Sequence, residues 1–271
     1  MERRTLAILG FHKIGEPSPG NERTWFYVPE ATFAGHLAHL RDRDWTVLDV
    51  ATFLRGLSAP DTLPARAALL TFDDGYRSVL DVALPWLRRF NYPAVTFVPT
   101  EFVGRANEFD DDEPREPICD WNALRALQAG GVAVQSHSVS HRPFSDLTAS
   151  AQEHELRESK RLLEVELRNS VETFAYPYGD AGADDAGLDA LMEKVGYQAA
   201  CVFKQGPLLM PAADRYRLAR VAVGPDTDLE RALELEGGEL FRPLAAIYKK
   251  NRVLSPAMKQ FLAILKEDRS E

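Results

Sequence analysis

Ala67-Ala68-Leu69-Leu70-Thr71-Phe72-Asp73-Asp74-Gly75-Tyr76 passes from a short apolar run directly into two adjacent carboxylates. The run Ala67–Phe72 has the length and composition of a strand buried on both faces. Asp-Gly alone would mark an ordinary turn. Two neighbouring carboxylates repel each other, however, and a cation beside them relieves that cost. Downstream, the apolar stretch Val132–Gln135 leads into Ser136-His137-Ser138-Val139-Ser140-His141. On a helical turn, an i, i+4 pair of imidazoles points one way and suits a single ion. One carboxylate and two imidazoles would hold a divalent cation and leave the second carboxylate free to accept a proton. The same donor set serves non-haem iron oxygenases. Those go with an HxD/E spacing in an all-β fold, whereas here the acidic pair comes first and the pattern is α/β, so hydrolysis is the preferred chemistry.

Working outward, short apolar runs alternate with amphipathic segments. Strands are expected at Leu6–Phe11, Thr46–Leu48, Ala67–Phe72, Ala94–Pro99, Val132–Ser136, Thr173–Tyr176, Tyr197–Val202 and Arg220–Val223. Helices are expected at Pro29–Arg41, Val79–Phe90, Trp121–Ala129, Thr148–Arg168 and Asp184–Val195. Pro29 suits a first helical position, Gly130-Gly131 a helix stop, and Thr148 with Glu153 and Glu155 a helix start. This alternation implies a parallel sheet or barrel whose chemistry sits at the C-terminal strand ends. Asp73-Asp74, His137/His141 and Pro177-Tyr178-Gly179 each follow a strand. Residues 101–117 form an acidic, proline-containing stretch, read as a long loop near the site. After Asp226 the pattern is helical only, with helices expected at Leu229–Leu235, Leu240–Tyr248 and Ser255–Leu265. Residues 1–225 are thus expected to form the catalytic domain, with 226–271 a helical extension packed on it.

The chain has 271 residues, 45% hydrophobic and 27% charged, as a soluble globular protein would. A formal charge of −9 argues against nucleic acid as a partner. Cys119 and Cys201 are too few and too isolated for a disulfide framework. No apolar stretch approaches the length of a membrane span, and the N-terminal run Leu6–Phe11 is too short for a signal-peptide core, so a cytoplasmic location is expected. His36, His39 and His154 fall on helices away from the motifs and are expected at the surface. Oligomeric state is not legible.

Thr71-Phe72-Asp73-Asp74-Gly75-Tyr76, Ser136–His141 and Phe174-Ala175-Tyr176-Pro177-Tyr178-Gly179 resemble the first three motifs of the polysaccharide deacetylases, the NodB-homology or carbohydrate esterase 4 family. The resemblance covers about residues 5–225. It implies a distorted (β/α)7 barrel, here with extra C-terminal helices, and metal-dependent removal of an acetyl group from an N-acetylated sugar. It also implies that Asp74, His137 and His141 hold one divalent ion, zinc first and cobalt, nickel or iron as alternatives. Asp73 would be the general base and the Tyr178 N–H an oxyanion donor. Pro177 and Tyr178 would line the groove, and Tyr76 and Trp121 are further candidates for sugar contact, as are Trp25 and Phe26; for Trp121 the alternative is core packing at a helix start.

Two departures stand out. Many members carry an arginine where this chain has Ala175, and Arg220 is the candidate to orient the base instead. The late Leu-x-His motif is missing. Gly10-Phe11-His12-Lys13-Ile14-Gly15 instead resembles the early Tyr-His-x-Ile segment of a permuted branch that includes poly-N-acetylglucosamine deacetylases, which makes His12 the general acid. Loss of the motif-three arginine leaves a catalytically silent glycan-binding protein as the alternative, and a formyl or non-sugar amide as a third.

Overall fold

The computed structural model describes residues 4–204 and 206–234. Seven parallel strands carry the architecture: β1 Thr5–Phe11, β2 Arg66–Phe72, β3 Ala94–Val98, β4 Val132–Ser136, β5 Thr173–Ala175, β6 Ala199–Phe203 and β7 Leu218–Ala222. Each pairs with the next in sequence, and β1 pairs with both β2 and β7, which closes the barrel. The β1–β2 ladder is the longest, running from Thr5 opposite Arg66 to Phe11 opposite Phe72. The β4–β5 ladder has a single residue pair, Ser136 opposite Phe174, and there the barrel is distorted.

Strand residues alternate between two clusters, as a two-residue period requires. Leu6, Ile8, Leu69, Phe97, Cys201 and Leu218 fill the inside with Val50 and Phe53 of a helix, Val50–Ser58, that also joins this cluster. Leu9, Phe11, Leu70, Phe72, Val134 and Val202 face outward to helices such as Glu30–Asp42, which buries Phe33, Leu37 and Leu40 against them. Burying a side chain of this size contributes about 1.5–3 kcal/mol. The same inward parity, followed toward and just past the C-terminal strand ends, reaches His12, Asp73, His137, Phe203 and Arg220. The site is therefore the top layer of the barrel interior, where side chains change from apolar to ionisable.

The remaining helices are Leu84–Phe90 (entered through one π turn, Val79–Ala83), Trp121–Ala129, Ala149–Leu167, Asp185–Val195 and Leu229–Ala232. Asp49, Asp120, Thr148 and Asp184 cap four of the helices through side-chain oxygens. Pro29 is the residue before its helix rather than the first within it. The helix Val50–Ser58 has no counterpart in the sequence expectations. The terminal helices expected at Leu240–Tyr248 and Ser255–Leu265, and their packing, lie outside the described residues. Among the described residues no helix is long and apolar enough to cross a membrane.

Candidate active site

Every strand end feeds one cavity of about 290 Å³. His12 follows β1; Asp73, Asp74 and Tyr76 follow β2; Phe109, Asp110 and Glu113 come from the loop after β3. His137 and His141 follow β4, Tyr178 follows β5, and Phe203 and Ala222 end β6 and β7. Lys13, Trp25 and Phe26 complete the wall.

Asp73 and Asp74 diverge because the backbone turns sharply between them. The Asp73 N–H still donates to Phe11 O in the ladder at 2.9 Å, whereas Asp74 and Gly75 both have φ of 68°. A non-glycine residue in that left-handed region is uncommon and concentrates at functional turns. Asp73 therefore faces into the barrel. Arg220 Nη1 donates to its Oδ1 at 2.6 Å and Nη2 to its Oδ2 at 2.8 Å, a bidentate pair in which both side chains are buried. Burial pushes the Asp73 carboxyl up. The charge and hydrogen bonds of Arg220, with His137 and His12, outweigh it and hold the group below its ordinary value.

Asp74 turns to the histidines. Its Oδ1 is 3.4 Å from His137 Nε2 and 3.1 Å from His141 Nε2. These three residues are buried, and each offers a ligand atom within 4.8 Å of the others. Oδ1 itself is buried without a hydrogen-bond partner among the described residues. An orphaned carboxylate oxygen facing two imidazole nitrogens fits a divalent cation well, because the ion would satisfy all three at once. His137 Nδ1 lies 2.7 Å from Ala175 O. A carbonyl only accepts, so Nδ1 carries the proton and the Nε2 lone pair is left for a ligand bond.

The two histidines do not share a helical turn, contrary to the sequence expectation. Ser138 has φ of 71° and His141 of 56°, and the segment is an irregular loop. Its rings converge because Glu155, on the helix Ala149–Leu167, grips the backbone. One Glu155 oxygen accepts from the N–H of Val139 at 2.7 Å and of Ser140 at 2.9 Å, and the other from Ser140 Oγ at 2.6 Å. Glu155 does not belong to the helix start, as its spacing from Thr148 had implied. Replacing Glu155 with Gln weakens metal binding by roughly 10- to 100-fold, as changes behind metal ligands commonly do. Competition titration against a chromophoric chelator reads it.

His12 Nε2 lies 3.9 Å from Asp73 Oδ2. Burial lowers the His12 pKa below the ordinary histidine value against the raising effect of Asp74 and Asp73. Tyr178 has φ of 57°, and its phenol donates to Phe109 O at 3.3 Å. That bond ties the β5 loop to the acidic loop, which indeed lies at the site. The acidic loop is stitched to the segment after β1 by Lys13–Glu113 at 2.7 Å and by Glu116, which accepts from Ser18, Asn21 and Tyr27.

Trp121 and Pro177, expected along the groove, are not among its lining residues. Trp121 opens its helix and packs on the core. Pro177 is buried as the first residue of the turn that presents Tyr178. Tyr76 lines the cavity but is buried at its floor. His36, expected at the surface, is buried beside Phe11, with Nε2 3.2 Å from Thr227 O. His39 is half-buried and His154 exposed. Of the cavity residues, Phe109, Asp110, Glu113, Phe203 and Ala222 carry no motif, and Lys13 is the variable position of the Gly10–Gly15 segment; only the acidic stretch 101–117 hinted at three of them.

Arg220 also carries a stability prediction. Removing it (Arg220→Met) strands a buried carboxylate and destabilises the fold by about 3–5 kcal/mol. Adding Asp73→Asn removes that charge and recovers most of the loss. Urea unfolding of the two variants tests this, and equal destabilisation of both would contradict the ion-pair account.

The family model described as polysaccharide deacetylase matches residues 61–200. The Bacillus subtilis (strain 168) protein YxkH is 27% identical over 224 residues, covering 81% of this chain and 72% of that protein. The poly-beta-1,6-N-acetyl-D-glucosamine N-deacetylase of Staphylococcus epidermidis is 23% identical over 248 residues, covering 83% and 81%. Among solved structures, the Streptococcus pyogenes deacetylase PplD in complex with acetate superposes with a TM-score of 0.73 at 21% identity, over 86% of this chain and 100% of that one. It shares the fold. With motif, barrel and donor set in agreement and the family match extending over more than half its length, the chain belongs to the polysaccharide deacetylase family.

Proposed function

We propose that this protein is a metal-dependent N-deacetylase of N-acetylated glycans, with zinc as its working ion. The observation that carries this is Asp73. It is clamped by Arg220, which holds its carboxyl below the ordinary value, set beside the Asp74–His137–His141 donor set and 3.9 Å from His12. In this reading Asp74, His137 and His141 would hold the cation, which would supply Lewis-acid polarisation of a carbonyl and acidify a water. Asp73 accepts the proton of that water. The Tyr178 N–H donates to the carbonyl oxygen as negative charge develops there, a contribution of about 3–4 kcal/mol for a well-placed donor. His12 gives a proton to the departing nitrogen. That proton matters because an amine leaves poorly unless protonated.

The substrate class follows the family and the name of the S. epidermidis relative: glycans bearing N-acetylglucosamine. The silent-binder alternative loses its motive, since Arg220 does for Asp73 what the missing arginine at position 175 would. Zinc-loaded protein is expected to release acetate from β-1,6-linked N-acetylglucosamine oligomers, with release abolished by chelation and restored by zinc. No release from any N-acetylated oligomer with zinc, cobalt or nickel would overturn the proposal.

A further inference from the structure

The imidazole of His12 lacks the hydrogen bond that usually fixes a reacting histidine. Its Nδ1 is buried and has no hydrogen-bond partner among the described residues. Its Nε2, 3.9 Å from Asp73, is beyond hydrogen-bond range. The neighbours that face the ring are aromatic. Phe203 lies 5.8 Å away between centroids with the planes 19° apart, and Phe26 meets the ring edge-on at 4.8 Å. The same Phe203 ring carries the Arg220 guanidinium, whose Cζ is 4.1 Å from its centroid. One side chain thus touches both the group that clamps Asp73 and the group that faces it.

The barrel register explains this placement. Phe203 ends β6 directly opposite Arg220 on β7, so the two side chains leave adjacent strands on the same face. The Phe203 ring then reaches β1, where a Cβ on Gly10 would come within 2.7 Å of its Cε1. At its backbone, a Cβ on Gly179 would come within 2.8 Å of the Phe203 nitrogen. Gly10 therefore makes room for this ring, and Gly179 for the backbone that carries it. Gly10 has an ordinary negative φ, so its smallness, and not its backbone freedom, is what the position uses.

We propose that Phe203 is the positioning residue for His12. Its ring sets the plane and reach of the imidazole in place of a hydrogen bond, while Arg220, which rests on the same ring, is held by its own bidentate pair with Asp73 and keeps the base in place when the ring is removed. The proposal rests on the deacetylase reading above, in which His12 protonates the leaving nitrogen. Without the ring, His12 is free to rotate among side-chain rotamers. Steps that need its proton then slow, and steps that do not need it are spared. An acetyl amide needs that proton. 4-Nitrophenyl acetate does not, because nitrophenolate leaves unaided.

The test compares wild type, Phe203→Leu, Phe203→Tyr, His12→Ala and the His12→Ala/Phe203→Leu double variant, all zinc-loaded, on both substrates. Phe203→Leu is expected to lower kcat for an N-acetylglucosamine oligomer by roughly 10- to 100-fold, less than the roughly 10²–10⁴-fold of losing a general acid outright, because the imidazole is still present. KM should barely move, and 4-nitrophenyl acetate hydrolysis should stay near the wild-type rate. Phe203→Tyr keeps the ring and most of the amide turnover. The double variant should be no slower on the oligomer than His12→Ala alone, since both changes remove one function. Equal losses on both substrates, or multiplicative losses in the double variant, would overturn the role of Phe203 while leaving the deacetylase reading intact. A wild type that hydrolyses 4-nitrophenyl acetate but releases no acetate from the oligomer would overturn that reading and this proposal with it.

Discussion

Asp74→Ala abolishes metal uptake and acetate release together. Asp74 supplies the sole anionic donor of the set, and its Oδ1 is the atom both imidazoles face. Without it, two neutral imidazoles on an irregular loop must hold a dication in a buried setting with no compensating charge, which desolvation disfavours strongly. The fold itself survives, because the alanine also removes a buried carboxylate that needs a cation. Elemental analysis after dialysis is expected to give near-stoichiometric zinc for the wild type and none for the variant, with unchanged circular dichroism. Full zinc occupancy in Asp74→Ala would remove Asp74 from the ligand set.

Asp73→Asn separates the two carboxylates in the opposite sense. It keeps the shape of the side chain and leaves the Asp74–His137–His141 set untouched, so zinc content stays at the wild-type level. The amide nitrogen cannot accept from Arg220, which breaks one of the two parallel hydrogen bonds. The remaining group has no affinity for the proton of water. Turnover is expected to fall by about 10²–10⁴-fold, the usual contribution of a positioned base. Acetate release under saturating oligomer measures it, and a rate near wild type would show that another group accepts the proton.

Much of this site was legible because its residues sit at strand ends, and strands announce themselves locally. β2 into Asp73-Asp74 and β4 into His137 are each a buried apolar run meeting polar residues. Parity then carries the side chains into the barrel. Arg220 could be nominated for the same reason, since it lies on a late strand whose inward positions had to meet those of β2. Phe203 could not, because its pairing with Arg220 depends on the register of two strands separated by a long connection. Glu155 was hidden for a similar reason: it belongs to the surface pattern of a charged helix, and only the packed fold brings it under the His137–His141 loop. Convergence of those histidines was anticipated on the wrong basis, a helical turn. Left-handed backbone at Ser138 and His141, in a loop held by Glu155, brings the rings together instead.

The helix Val50–Ser58 was missed because it is short and contains Gly56, a helix-weakening residue. A Cβ there would lie 2.2 Å from Leu63 Cδ2, so close packing against Leu63 outweighs propensity. Its one local signal was Asp49, whose side chain accepts from the N–H of Thr52. Trp121 admitted two readings in the sequence. Nearness in sequence to the motifs left it open between sugar contact and core packing at a helix start, and as first residue of its helix it packs on the core.

Anomalous diffraction at the zinc absorption edge, from crystals of the zinc-loaded protein, tests the central claim most directly. A single strong peak is predicted, bonded to one Asp74 oxygen and to Nε2 of His137 and His141 at about 2.0–2.2 Å, with Asp73 still clamped by Arg220 and outside the coordination sphere. A peak ligated by Asp73 in place of Asp74, or one located away from these three residues, would contradict it.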